Sequence, residues 1–312
     1  MKIFFNRVPR NEPYGGGNQF LVKIVEKLQK EGHNVVFYFE PEIDLMFIMD
    51  PRPGDIGYSA EHIAAYKNKF PNTKIIHRIN ECDKRKDTDF IDNMLIKTAS
   101  LADKVVFISQ WLSDYFYAAG FEGNSSVIYN GCDKENFKPL ENKNINYKKL
   151  GLVTHHWSDN WMKGFDLYTE IDKYLDENDA DFDFTYIGRY CKEYKPKATN
   201  IVSPLHGKSL ADELKKYDIY ITASRWEPCG MHHIEGAAVG LPIIYHEDTG
   251  GIVELCKNHG LSYRTFEDFL ASVENIKDNY NSFVDSINHD FLDIDRCCDE
   301  YYNIILETVE DS

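Results

Sequence analysis

A chain of 312 residues exceeds what one hydrophobic core ordinarily supports, and its 43% apolar and 14% aromatic content is enough for two. The formal net charge is −16, with the acid excess concentrated after residue 150, which opposes nonspecific binding to nucleic acid. A mean hydropathy of −0.48, with no apolar run near the roughly 18 residues a spanning helix needs, excludes a membrane bundle. The near-neutral first half leaves peripheral contact with an anionic membrane open. The opening segment meets Asn6, Arg7 and Pro9 too soon for a signal peptide, so a cytoplasmic protein is expected. Its seven cysteines are odd in number and scattered, with no C-x-x-C pair. That predicts reduced thiols, not a disulfide framework or a zinc site.

Lys2–Phe5 reads as a buried strand, residues 13–17 as a glycine-rich turn, and Asn18–Lys30 as a helix with apolar positions at Leu21, Ile24, Val25 and Leu28. Strands are expected next at Val35–Phe39, Lys74–Ile79, Lys104–Ile108 and Ser126–Tyr129, with helices near 59–69, 88–101 and 110–119. The polar stretch Lys138–Lys149 has no apolar period and reads as a linker. A second series follows, with strands at Leu150–Thr154, Phe182–Ile187, Ile219–Thr222 and Pro242–Tyr245, and helices after Gly164, Ser209, Gly230 and Gly251. Phe291–Val309 reads as a final helix that packs on or returns towards the first domain. The alternation predicts an α/β protein of two Rossmann-like, doubly wound domains facing across a cleft. The expected parts are residues 1–142, 143–290 and a C-terminal helix 291–312.

The chemistry concentrates in SRWEPCGMHHIEGAAVGLP, where Glu227 precedes a turn at Pro228–Gly230 and Glu235 lies on the helix that starts near Met231. A helix start at Gly230–Met231 offers free amides and the positive end of its dipole to an anion such as a diphosphate. Glu227 is placed to accept hydrogen bonds from sugar hydroxyls and Glu235 from a ribose diol. Taken alone, the E-x7-E spacing also describes a surface helix with two unrelated acids. At the end of the strand Lys74–Ile79, Arg78, Asn80 and Glu81 form a second polar cluster. The pairs His155–His156 and His232–His233 do not predict a metal site, because adjacent side chains diverge and no third ligand is evident.

EPCGMHHIEGAAVGLPIIYHEDTGG resembles the E-x7-E signature, Gly-x-Pro strand and Gly-Gly turn of the retaining GT-B glycosyltransferases, a family that includes sucrose and glycogen synthase relatives and lipopolysaccharide enzymes. VIYNGCDKENF, FISQWLSDYF and WMKGFDLY resemble further family segments in the expected order. The resemblance implies that Glu227 and the Gly230–Met231 amides hold the donor sugar and phosphate, Glu235 the ribose, and Lys163 the diphosphate. It also places Gly16 and Gly17 beneath the donor phosphates and acceptor, and Arg78, Asn80 and Glu81 on the acceptor or sugar side. It implies a retaining, metal-independent transfer from a nucleotide sugar such as a UDP- or GDP-sugar to a glycan, lipid-linked or small-molecule hydroxyl, with no cofactor. One departure is that the family's arginine about five residues before the lysine is missing, the stretch here being His155–Asp159. Arg189, Arg225 and His156 are the candidates to replace it. Two alternatives share the fold: a non-catalytic nucleotide-sugar-binding protein and a sugar-nucleotide epimerase.

Overall fold

The computed structural model describes residues 1–10, 15–53, 57–141, 143 and 145–310. The chain divides into two units, one of Met1–Asn130 with Ile294–Ser312, the other of Gly131–Asp293. Each contains a six-stranded parallel sheet whose central strands are buried on both faces, the pattern expected when helices cover both sides.

In the first unit the elements run β1 (Lys2–Phe5), α1 (Gly15–Lys30), β2 (Asn34–Val36), β3 (Leu45–Ile48), α2 (Ala60–Lys69), β4 (Lys74–Ile79), α3 (Asp83–Lys86), α4 (Ile91–Ala99), β5 (Lys104–Phe107), α5 (Gln110–Ala118) and β6 (Ser125–Val127). The sheet order is β2-β1-β3-β4-β5-β6. Strand β3, LMFI, is missing from the sequence expectation because four apolar residues without alternation carry no period of their own. It fills the place between β1 and β4, with all four side chains buried. Helix α1 starts at Gly15 and not at Asn18. Asn18 does not act as the helix start, because its side-chain amide donates to the Arg10 carbonyl (2.9 Å) and its amide oxygen accepts from the Arg10 N–H (2.8 Å). The part of the expected turn at residues 13 and 14 lies outside the described residues.

The second unit runs β7 (Leu150–His156), a 3-10 turn (Trp161–Lys163), α6 (Phe165–Glu177), β8 (Phe182–Gly188), β9 (Asn200–Val202), α7 (Gly207–Leu214), β10 (Ile219–Thr222), α8 (Met231–Ala238), β11 (Ile243–His246), α9 (Ile252–Cys256), β12 (Gly260–Tyr263), α10 (Phe266–Asp278) and α11 (Tyr280–Asp285). Its sheet order is β12-β11-β10-β7-β8-β9. Connections therefore leave β7 towards β8 on one side and return at β10 on the other, so the order reverses between β7 and β10. In open parallel sheets that is where a crevice forms beyond the carboxyl ends of the strands. Phe165, Tyr168 and Ile171 of α6 pack against Phe182, Phe184 and Tyr186 of β8, and α10 adds Phe269, Val273 and Ile276. Seven buried free cysteines are distributed over both units.

The boundary falls at residues 130 and 131, ahead of the polar stretch 138–149 and of the expected division at 142. Residues after 130 are held to the second unit by a Cys132 N–H to Leu292 carbonyl hydrogen bond of 2.8 Å and by Lys134 against Asp293. The chain re-enters the first unit as α12 (Ile294–Glu310). Cys297, Tyr301 and Ile305 of that helix join Phe20, Ile24 and Leu28 of α1 in one core, with the Phe20 and Tyr301 rings 4.7 Å apart. Arg296 donates to the carbonyls of Tyr129 and Asn130, both at 3.0 Å, which fixes the end of the outgoing segment to the start of the returning helix.

Candidate active site

Lys163, Glu227, Gly230 and Glu235 all belong to the second unit and follow β7 and β10, the two strands that flank its switch point. Lys163 ends the 3-10 turn, which Asn160 opens by accepting a hydrogen bond from the Met162 N–H at 2.8 Å. Gly164 then takes a left-handed conformation (φ 94°), and a Cβ there would lie 2.1 Å from the Ala223 Cβ and 2.5 Å from its carbonyl oxygen. Only glycine lets the turn after β7 press against the end of β10. That close approach brings the Lys163 ammonium within 2.6 Å of Glu227 Oε2, with both side chains about nine-tenths buried.

Glu227 is placed by its backbone. Its N–H donates to Thr249 O (2.9 Å) and its carbonyl accepts from the Gly251 N–H (3.0 Å), so the loop before α8 forms a single parallel bridge with the Gly250–Gly251 turn. Thr249 Oγ1 adds a 2.6 Å bond to the Ser224 carbonyl. Trp226, next in line, is held at φ 54°, a left-handed conformation that costs a non-glycine residue about 1–3 kcal/mol and concentrates at functional positions. At Gly230 a Cβ would meet the His232 ring at 2.6 Å and the Glu227 Cγ at 3.1 Å. The first turn of α8 therefore lies directly against the Lys163–Glu227 pair. Met231 opens that helix, every residue of which is buried.

Behind this turn is a layer of histidines. His155 Nε2 is 2.8 Å from Glu235 Oε2, and its Nδ1 is 3.1 Å from the Tyr220 hydroxyl. His156 Nε2 is 2.9 Å from the Tyr168 hydroxyl, and His232 Nε2 is 2.8 Å from Thr222 Oγ1. Burial, then the neighbouring His156 and Lys163, hold the His232 pKa well below its ordinary value. Burial likewise lowers His233 to about 3, outweighing the attraction of Glu227. These two rings are neutral near pH 7 and present no competing positive charge beside the ammonium. Among the described residues, no group of three or more His, Cys, Asp or Glu side chains is arranged to hold a metal ion.

The other expected site residues are placed differently. Arg225 pairs with Asp166 at the start of α6, and Arg189 stacks 4.1 Å above the Trp157 ring, just past β8 and β7 respectively. In the first unit, Gly16 and Gly17 form the first turn of α1, and a Cβ at Gly17 would be 3.7 Å from Asn80 Nδ2. Glu81 is paired with Arg52 (3.0 Å) and Lys86 (3.3 Å). Arg78, expected on the acceptor or sugar side, is 1% exposed, lies 4.5 Å over the Phe20 ring and donates to Asn130 Oδ1 at 2.8 Å. Strand β4 is covered on both faces, so its polar residues turn inward whichever way they alternate. Sequence reasoning missed the pairing of His155 with Glu235 and the roles of Asp166, Tyr168 and Thr249. These partners are joined only by folding, and nothing in local spacing marks them. A shallow cavity of about 400 Å³, lined in part by Asp183, Tyr217 and Asp218, opens at the amino ends of β7, β8 and β10, away from these groups.

Comparison with known proteins adds three findings. Residues 146–286 match the family described as Glycosyl transferases group 1. A 120-residue segment is 32% identical to "Probable sucrose-phosphate synthase" of Thermosipho melanesiensis, covering 36% of this chain and only 28% of that relative. Among solved structures, sucrose-phosphate synthase from Thermosynechococcus elongatus superposes with a TM-score of 0.74 at 13% identity over 100% of both chains. Anabaena HepE in complex with UDP-glucose gives a TM-score of 0.70 at 12% identity over 98% of this chain and 99% of its own. The lipopolysaccharide glycosyltransferase WaaG gives 0.69 at 12% identity over 98% and 99%. The fold of these structures is that of the present chain: two parallel α/β sheets in the GT-B arrangement of elements.

Proposed function

We propose, on the premise that residues 146–286 form a domain of the Glycosyl transferases group 1 family on a GT-B fold, that this protein transfers a sugar from a nucleotide-sugar donor to an acceptor hydroxyl with retention of anomeric configuration and without a metal ion. The observation that carries the reading is the Lys163 ammonium, 2.6 Å from Glu227 and set against the first turn of α8.

Breaking a glycosyl–phosphate bond develops positive charge at the anomeric carbon and negative charge on the departing diphosphate. The free amides of α8 at Gly230 and Met231 and the Lys163 ammonium neutralise that diphosphate, an effect typically worth several kcal/mol. Glu227 lies beside the same position and accepts hydrogen bonds from sugar hydroxyls. Glu235, one turn deeper on α8, takes the ribose. Neither carboxylate acts as a nucleophile here. The leaving phosphate helps deprotonate the acceptor hydroxyl on the face it vacates. Arg225 is neutralised by Asp166, so the missing family arginine has no direct substitute there, and Lys163 with the helix terminus carries the larger share. A UDP-glucose complex is known for the similarly folded HepE, which makes UDP- and GDP-sugars the first donors to try.

The test is transfer, or slow donor hydrolysis, by Glu227→Ala, Lys163→Ala and Glu235→Ala. Wild-type rates in all three would refute the assignment, and turnover that survives EDTA would support the metal-free mechanism. The missing arginine in the stretch His155–Asp159 favours a second reading, a protein that binds the donor without turning it over. Product analysis with and without an acceptor separates transfer, epimerisation and binding alone.

A further inference from the structure

Glu235 is 4% exposed, and a carboxylate so far from water needs a partner. It has one in His155, the next-to-last residue of β7, 80 positions earlier in the chain. The Tyr220 hydroxyl accepts from the His155 backbone N–H at 3.2 Å and lies 3.1 Å from His155 Nδ1. A phenol has one proton to give, and its pKa is pushed well up by burial, so Tyr220 stays protonated. Its acceptors are His155 Nδ1 and, farther off at 3.4 Å, the His155 carbonyl; given to the nearer Nδ1, that proton makes Nδ1 an acceptor and leaves the ring proton on Nε2, aimed at Glu235 Oε2. This is how an outer hydrogen bond selects a histidine tautomer and orients the group beyond it.

With Oε2 held, the remaining oxygen of Glu235 is directed by the same contact, and among the described residues no group hydrogen-bonds it. A carboxylate oxygen only accepts, so its ligand must donate. Glu235 lies four residues into α8 from Met231, roughly 6 Å along the axis at about 1.5 Å per residue. A diphosphate at the first turn would thus bring its ribose diol to Glu235.

We propose that His155, locked by Tyr220, is the positioning residue that aims Glu235 at the donor's ribose and thereby sets a preference for ribonucleotides over 2′-deoxyribonucleotides. This rests on the nucleotide-sugar reading above.

The experiment is calorimetric. UDP, GDP, ADP and CDP are titrated into the full chain, and the tightest is compared with its 2′-deoxy counterpart in wild type, His155→Ala, His155→Gln and Tyr220→Phe. Wild type is expected to favour the ribonucleotide by about tenfold, the scale of one well-placed hydrogen bond. His155→Ala should bring that ratio near unity, by weakening the ribonucleotide and leaving the deoxynucleotide nearly unchanged, with the loss in turnover falling on donor KM more than on kcat. His155→Gln, which can still donate to Glu235, should restore part of the ratio. A merely structural role would weaken both nucleotides together, and that result would overturn the proposal. Should His155→Ala fail to fold, Tyr220→Phe decides: it keeps the ring, frees Nδ1 and is expected to lower the ratio severalfold, an unchanged ratio being contrary. A wild type that binds nucleotide without discrimination overturns the role of His155 and leaves the glycosyltransferase reading standing. A wild type that binds none of the four overturns that reading and this one together.

Discussion

Both units are six-stranded parallel sheets with one order reversal, yet they bury charge in opposite ways. In the second unit, Lys163 meets Glu227 at 2.6 Å and Glu235 meets His155 at 2.8 Å, each acid with a specific donor at the carboxyl ends of the strands. In the first unit, the buried Arg78 meets an amide oxygen and an aromatic face, and among the described residues its Nε and Nη1 have no hydrogen-bond partner. Its acids Asp50 and Glu81 are paired instead with the more exposed Arg52. A charge that answers to a ligand is kept beside a specific hydrogen-bond donor or acceptor that it can exchange for one. A charge enclosed without a counter-ion serves the core.

The largest expected effect tests the first half of that contrast. Lys163→Met should lower kcat/KM by about 10²–10³-fold, the scale for removing one preorganised donor to a developing oxyanion. It should also cost about 3–5 kcal/mol of stability by leaving Glu227 buried and uncompensated. The double variant Lys163→Met/Glu227→Leu should regain stability in chemical denaturation but not activity. Recovery of turnover would make the pair structural.

The buried histidines give the next effect. The folded pKa of His233 is depressed to about 3, so between about 3 and its ordinary 6.5 the unfolded chain binds the extra proton. Its contribution is therefore fully present above pH 6.5 and is lost as pH falls towards 3, at up to about 1.4 kcal/mol per pH unit. His233→Leu should flatten the stability curve over that window by this amount in urea titrations. An unchanged slope would show that the ring is solvated in the folded state.

Arg78→Met should be milder. The substitution forfeits one hydrogen bond and a cation–π contact, but it also removes two guanidinium nitrogens that are buried without a partner among the described residues. The balance is expected within about 1 kcal/mol, with nucleotide affinity unchanged. A loss beyond about 3 kcal/mol would place a strong partner on the guanidinium and erase the contrast. Smallest should be Arg189→Ala, which removes the stack on Trp157 at a cost of about 0.5–1 kcal/mol in thermal unfolding.

Much of this architecture was legible before any coordinates, because a strand such as IYIT followed by turn residues and an apolar helix has few ways to fold. The loop and helix that carry Glu227 and Glu235 could be placed from Pro228, Gly230 and the apolar run alone. What escaped were short elements and distant pairings. LMFI at Leu45–Ile48 has no alternation to announce it, and the edge strands Asn200–Val202 and Gly260–Tyr263 are too brief to stand out. Arg78 reads as a site residue because it sits at a strand end among polar neighbours, and its burial against Phe20 of α1 emerges only with the fold. In the sequence, His155 is half of a histidine pair and the start of the stretch that lacks the arginine. Its partner lies 80 residues away, and no local pattern encodes that meeting.

Helix α12 has a consequence for biosynthesis. The second unit is one uninterrupted stretch, residues 131–293, whereas the first waits for Cys297, Tyr301 and Ile305 to complete the core around Phe20 and Leu28. On a translating ribosome, the later-made unit has its whole sequence available first, while the earlier-made one emerges with an unsealed apolar face that only the final helix can close.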